Sequence, residues 1–244
     1  MSDKDRLYQT PVDEVKDFVF DERVVRVFPD MINRSVPGYG LVVAMAGLLA
    51  RRYAQDNSAL YDLGCSLGAV ALAMSRAVTS SGARIIAVDN SAAMIARLDE
   101  LLAADSSVAA TPVETLCEDI CRVDIEDASV VVLNFTLQFV PPDARLPLLR
   151  RIAGGLRPGG ILLLSEKVCC EAPREDGLLR QWHHDFKRAQ GYSELEISRK
   201  RDALENVMRP DSLPAHRKRL LDAGFREVYP WFQALNFLSL VAIR

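Results

Sequence analysis

The sequence predicts a doubly wound α/β domain with a mainly parallel sheet, and three observations carry that prediction. Short apolar or β-branched runs recur from Leu60 onward: Leu60–Leu63, Arg84–Val88, Val130–Phe135 and Ile161–Ser165. Segments of helical length, rich in Ala, Leu and Arg, separate most of them. A glycine turn, Gly64-Cys65-Ser66-Leu67-Gly68, follows the first run directly. Strands alternating with helices imply parallel pairing, with helices on both faces of the sheet.

Taken in order, residues 1–40 read as an N-terminal extension of loop and short helices. The apolar and acidic stretch Asp17–Phe28 is expected to stop at Pro29, and Pro37-Gly38 makes a turn before Tyr39. A helix follows over Leu41–Ala54. After the alternating region, Leu156-Arg157-Pro158-Gly159-Gly160-Ile161 reads as a helix stop leading into a strand. Residues 171–219 break the rhythm: the segment is charged and holds all three histidines. Ser193 and Glu196 form a capping box there, and Arg209-Pro210 ends the helix it opens. A helical insertion of this kind lies on the surface and serves as a lid or a partner contact. Ala223–Val228 and Trp231–Ile243 then read as two closing strands, an antiparallel pair. The whole, residues 1–244, is expected to be a single domain.

Composition narrows the function classes. Hydrophobic residues make up 49% and charged residues 26%, a globular balance. No apolar run is long enough to cross a bilayer, and the charged start Met1–Arg6 precedes no apolar segment, so neither a membrane span nor a secretory signal is expected. The five cysteines lack the spacing of a zinc knuckle or a redox pair, which suits idle thiols in a reducing cytoplasm. With 33 acidic against 30 basic residues, direct nucleic-acid binding is disfavoured.

Five pieces assemble a cofactor site. In the glycine turn, the backbone of Gly64, Cys65 and Ser66 can approach a ligand, and Asp62 precedes it. That acidic approach suits a ligand with an amino-acid end; a NAD site would show G-x-G-x-x-G. Asp89, followed by Asn90, ends the second strand where a carboxylate accepts both ribose hydroxyls. Asp119 and Ile120 can hold an adenine amino group and ring face. Asn134 ends the next strand, where ligands of open sheets bind, and the Leu156–Ile161 helix stop completes the set. In this order the pieces resemble the class I S-adenosylmethionine-dependent methyltransferase fold, over about residues 40–244. The resemblance implies a seven-stranded sheet with the helical insertion placed before the last two strands.

Longer strings narrow the family. Phe20-Asp21-Glu22-Arg23-Val24, Arg34-Ser35-Val36-Pro37-Gly38-Tyr39, Asn134-Phe135-Thr136-Leu137-Gln138-Phe139 and His183-His184-Asp185-Phe186-Lys187-Arg188 are similar to the carboxy-S-adenosylmethionine synthase family, nearly end to end. The prolines of an amino-group methyltransferase motif are missing after Asn134. The resemblance implies that S-adenosylmethionine is a substrate and carboxy-S-adenosylmethionine the product. The carboxyl group comes from prephenate, phenylpyruvate is released, and no metal takes part. It further implies a homodimer whose product passes to a separate enzyme that modifies wobble uridine in tRNA.

Such a site must hold one more carboxylate than a methyltransferase site. Ile197, Leu204 and Met208 fall on one helical stripe, with Arg201 beside it and Arg199 and Asp202 pointing away. From the residues alone, Arg201 either binds an anion or snorkels to a nearby acid. The resemblance assigns it to the new carboxylate, and assigns Tyr39 to the cofactor. Whether Arg201 serves its own or a partner's site stays open, as do the prephenate-binding residues and the proton acceptor. Adjacent His183 and His184 diverge on a helix and cannot readily share a metal. No nucleophile is identified. Two rivals stand behind this reading: a small-molecule methyltransferase, and a non-catalytic cofactor-binding partner of a tRNA-modifying enzyme.

Overall fold

A computed structural model describes Asp5 and residues 22–104, 111–205 and 207–244. Its sheet is built from β1 (Ala59–Leu63), β2 (Arg84–Asp89), β3 (Val113–Cys117), β4 (Ala128–Asn134), β5 (Leu156–Cys169), β7 (Glu227–Ala234) and β8 (Phe237–Ile243), with a two-residue β6 (Asp211–Ser212) beside β5. The order is β3-β2-β1-β4-β5-β8-β7. β1 to β5 pair in parallel, and β8 runs antiparallel to both β5 and β7. The chain winds from β1 toward β3, then reverses to β4 and β5, so the switch point falls between β1 and β4. Ligands of open sheets sit beyond the strand ends at that point.

Side chains of β4 show how two helical layers share one sheet. Val130 and Val132 join Leu60, Ile85 and Ile161 against α2 (Tyr39–Tyr53), α3 (Ala69–Ala77) and α4 (Ala92–Ala104). Val131 and Leu133 join Tyr61, Leu162 and Leu164 against α5 (Pro142–Gly155) and α8 (Leu213–Asp222). Alternate residues thus feed opposite cores, so the central strands read as continuous apolar runs. The edge strand β3 is different. Its residues are mostly exposed, which is why Val113–Cys117 carried no strand signal.

The N-terminal helix α1 (Glu22–Ser35) corrects one expectation: it runs through Pro29. An interior proline costs about 3 kcal/mol. Burial of Val24 and Met31 against Met94 and Ala203 offsets that cost. Arg34 adds an anchor, with its guanidinium 4.0 Å from the centre of the Tyr192 ring and its Nε donating to the Gln190 carbonyl. Residues 17–21 of the expected stretch lie outside the described residues.

Between β5 and β6 lie α6 (Pro173–Ala189) and α7 (Glu194–Glu205). The capping box at the start of α7 forms: Ser193 N donates to Glu196 Oε2 (2.8 Å) and Glu196 N to Ser193 Oγ (3.3 Å). α7 stops at Glu205, ahead of Arg209-Pro210, and Arg209 N donates to the Gln138 carbonyl (2.9 Å). The closing hairpin also shifts. Its turn falls at Leu235-Asn236, inside the expected Trp231–Ile243 strand, with Leu235 at φ 53° and no glycine to announce it. Pro230 is tolerated in β7 because that strand is an edge and its register slips there.

Candidate functional site

The turn between β1 and α3 carries three residues in the left-handed region: Gly64 (φ 78°), Ser66 (φ 50°) and Gly68 (φ 74°). A Cβ on Gly64 would lie 2.4 Å from Thr136 Cγ2, so the turn can pass close to the end of β4 only as glycine. Two carboxylates hold it. Buried Asp62 accepts from Ala71 N (2.9 Å), and burial, with Asp89 adding to it, pushes its carboxyl up to about 7. Asp89 accepts from Ser66 N and Ser91 N, both at 2.9 Å, and burial raises its carboxyl above the usual range. The second strand therefore ends on a carboxylate that already braces the turn beside it.

Across the switch point, β4 ends at Asn134, whose buried Oδ1 has no hydrogen-bond partner among the described residues. Phe135 follows at φ 60° and packs between Tyr39 (6.3 Å between ring centres) and Phe237 (6.0 Å). Buried Glu166 accepts from Leu137 N (2.8 Å) and Gln138 N (3.0 Å), fixing the turn that follows. Arg145, 1% exposed, donates to the Val140, Gln138 and Arg209 carbonyls and pairs with Asp211 at 2.5 Å. It clamps the return from α7 onto this end of the sheet.

These elements enclose a cavity of about 440 Å³. Nine of the ten residues expected from sequence line it: Tyr39, Gly64, Cys65, Ser66, Asp89, Asn90, Asp119, Ile120 and Asn134. Arg201 does not. Its side chain is 61% exposed and binds Asp202, with Nε at 3.0 Å and Nη2 at 2.9 Å from Oδ1. The expected stripe was drawn on the wrong centre. Among the described side chains of α7, Glu196, Ile197, Lys200 and Ala203 are buried, and at about 100° per residue that face leaves Arg201 roughly a quarter turn away.

A second wall of the cavity was missed from sequence. Lys167 on β5, His183 and Lys187 one turn apart on α6, and Lys200 on α7 all line it. Lys200 Nζ reaches Ser35 Oγ (2.9 Å) and Asp5 Oδ2 (3.5 Å). Burial, and then the neighbouring lysines, lower Lys187 to about 7. Burial leads the same effect at Lys200, about 8, and at Lys167, which is also lowered. His183 packs edge-on against Phe237 at 4.9 Å and bonds the Ser35 carbonyl through Nε2 (2.8 Å), so Nε2 carries the proton and Nδ1 is an acceptor. Burial and nearby lysines lower its pKa to about 2. Nothing in the primary pattern marks these lysines, because each comes from a different element. Among the described residues, no group of three His, Cys, Asp or Glu is placed to hold a metal.

The sheet order, the glycine turn and the acidic end of β2 together define a protein of the class I methyltransferase fold. Residues 60–160 match the sequence model of a methyltransferase domain. Human N-acetylserotonin methyltransferase, solved in complex with SAM, superposes with a TM-score of 0.62 at 16% identity, covering 91% of this chain and 55% of that one. Magnesium protoporphyrin IX methyltransferase from Synechocystis, solved with bound SAH, gives 0.57 at 16% identity, covering 84% and 83%. At such identities the likeness concerns the fold alone.

Sequence relatives go further. A carboxy-S-adenosyl-L-methionine synthase from Trichlorobacter lovleyi is 59% identical over 240 residues, 98% of either chain. Those of Pseudomonas putida (58%, 98% of either chain) and Aliivibrio fischeri (55%, 100% of either chain) match as fully. The chain belongs to the carboxy-S-adenosyl-L-methionine synthase family.

Proposed function

We propose that the protein converts S-adenosylmethionine and prephenate to carboxy-S-adenosylmethionine and phenylpyruvate. The observation that carries this is identity of 55–59% to synthases of that name over nearly the whole chain, the α6–α7 segment included. The cavity supports it. Asp89 is set to accept the ribose hydroxyls, Asp119 and Ile120 to hold the adenine, and Asn134 Oδ1 and Tyr39 to meet the methionine end. Buried acids Asp62 and Asp89 favour a ligand bearing an ammonium and a sulfonium. A positive sulfur acidifies its methyl group, so that carbon can accept a carboxyl group. The atoms balance when prephenate delivers the elements of carbon dioxide to it and loses water as the ring becomes aromatic.

Arg201 is the group we assign to the transferred carboxylate. Its exposure on α7 favours a dimer in which it reaches a neighbour's cavity. Exposed Leu178, Trp182 and Leu195 on α6 and α7 offer apolar surface that a second copy would cover. The product is a small molecule for a separate tRNA-modifying enzyme in the cytoplasm. A net charge of −3 agrees with a protein that leaves tRNA contact to that enzyme. No helix of the described residues is long and apolar enough to cross a membrane.

The test is the intact mass of the small molecule released from freshly purified, denatured protein. An adenosyl sulfonium heavier than S-adenosylmethionine by the mass of carbon dioxide is expected. Repeated recovery of S-adenosylmethionine or S-adenosylhomocysteine alone, with no conversion on adding prephenate, would overturn the proposal in favour of an ordinary methyltransferase.

A further inference from the structure

We infer that Lys167, Lys187 and Lys200 form the subsite that holds the two carboxylates of the anionic co-substrate, beside the adenosyl site and separate from it; this rests on the carboxyl-transfer reading above. The placement follows from the strand order. Asp119 follows β3, Asp89 ends β2, the glycine turn ends β1, Asn134 ends β4, and Lys167 lies near the end of β5. Strands are about 4.8 Å apart, so three steps put Lys167 roughly 14 Å along the sheet edge from Asp89. A ligand with its ribose at β2 and its sulfonium over β1 and β4 has its methyl group facing the lysines.

Charge supports the assignment. Among the described residues, neither Lys167 nor Lys187 has an ion-pair partner, although Lys187 is 7% exposed. Asp5 is shared, because its Oδ2 accepts from the Tyr192 hydroxyl at 2.6 Å while lying 3.5 Å from Lys200 Nζ. Asp176, the acid nearest in effect to Lys167, already pairs with Arg180 at 2.5 Å. Ammonium groups whose protonation is depressed by burial inside one cavity, and at Lys187 also by Lys200 and Lys167, gain most from an arriving dianion. His183 stays neutral and adds no further positive charge. Its Nδ1 can instead accept a hydrogen bond from a hydroxyl group on the bound anion.

The experiment uses the full-length protein with prephenate as the varied substrate and S-adenosylmethionine at saturation. Lys187→Met keeps length and removes charge, Lys187→Arg keeps charge, and Lys167→Met is a second neutral variant in case the first does not fold. Expected for either Met variant is a prephenate KM raised about 30-fold or more, with the calorimetric Kd for S-adenosylmethionine within about twofold of wild type. Lys187→Arg should recover part of the loss. An unchanged prephenate KM in the folded Met variants would overturn the inference. So would a matching loss of S-adenosylmethionine affinity, which would place the lysines on the cofactor's own carboxylate. Wild-type protein that makes no carboxy-S-adenosylmethionine at all would instead remove the function on which the subsite depends. Calorimetric binding of prephenate to wild type and variants would still judge the lysines.

Discussion

The two halves of the cavity are built by different means. The half formed by β1, β2 and β4 presents backbone: a glycine turn that no other residue could make, braced by carboxylates from Asp62 and Asp89. The half formed by β5, α6 and α7 presents long side chains, held by the Arg145 and Glu166 contacts behind the cavity wall and by the Ser193 capping box at the start of α7. The first half is suited to a ligand part that many enzymes share. The second is where we place recognition of the anionic co-substrate. A backbone-built site loses everything when its turn is altered, whereas a side-chain site can lose one specificity and keep its fold.

The largest effect expected is on Arg201. If it holds the transferred carboxylate, Arg201→Ala should weaken carboxy-S-adenosylmethionine by about 2–5 kcal/mol while sparing S-adenosylmethionine. Arg201→Lys should restore only part, because an ammonium cannot make the two-pronged contact. Titration of both ligands checks this, and equal weakening would show that the arginine acts on the helix or the cofactor generally. Mixing Arg201→Ala with Asp89→Ala then tests the dimer. Recovered activity in heterodimers places Arg201 in the neighbour's cavity, and no recovery places it in its own.

Gly64→Ala comes next, at about 2–4 kcal/mol, from a positive φ and a Cβ that would strike Thr136. A lowered thermal midpoint together with lost cofactor affinity is the expected result. Retained affinity would mean that the turn is looser than its geometry implies.

Opposite pH slopes should also separate the halves. Lys187 and Lys200, near 7 and 8, are charged below those values and lose their protons as pH rises through them. The kcat/KM for the anionic co-substrate should therefore be greatest on the acid side and fall across about pH 7–8. The groups facing these lysines are Lys167, Arg34, Asp30, Asp5 and His183, and His183 stays neutral throughout this window. Asp62, raised to about 7, gains its charge over the same window, so affinity for the cationic cofactor should rise with pH. Parallel slopes would contradict the division. Smallest of all, Ser193→Ala should cost about 1 kcal/mol of stability through the lost cap of α7. It should raise the prephenate KM slightly and leave the cofactor Kd unmoved.

The same contrast explains what could be read from sequence. Gly64, Ser66 and Gly68 next to a buried strand are local chemistry, and Asp89 lies at a fixed topological distance from them. The capping box at Ser193 was legible because its two partners are three residues apart. Arg201 was placed on the wrong face because α7 offers two overlapping stripes. The buried one includes Glu196 and Lys200, which no hydrophobic pattern reveals. The lysine wall was invisible for the same reason: Lys167, Lys187 and Lys200 meet only after the sheet, α6 and α7 have packed. Helix α1 through Pro29 and the hairpin at Leu235-Asn236 show tertiary packing overriding local stop and turn signals.

One crossed measurement tests the central claim that the two halves act separately. S-adenosylmethionine Kd and prephenate KM are determined for Asp89→Ala and Lys187→Met, the KM at saturating cofactor and with folding checked by circular dichroism. Asp89→Ala should cost about 1.5–3 kcal/mol in cofactor binding and leave the prephenate KM near wild type. Lys187→Met should do the reverse. Both variants moving both constants together would contradict a divided cavity and make it a single site.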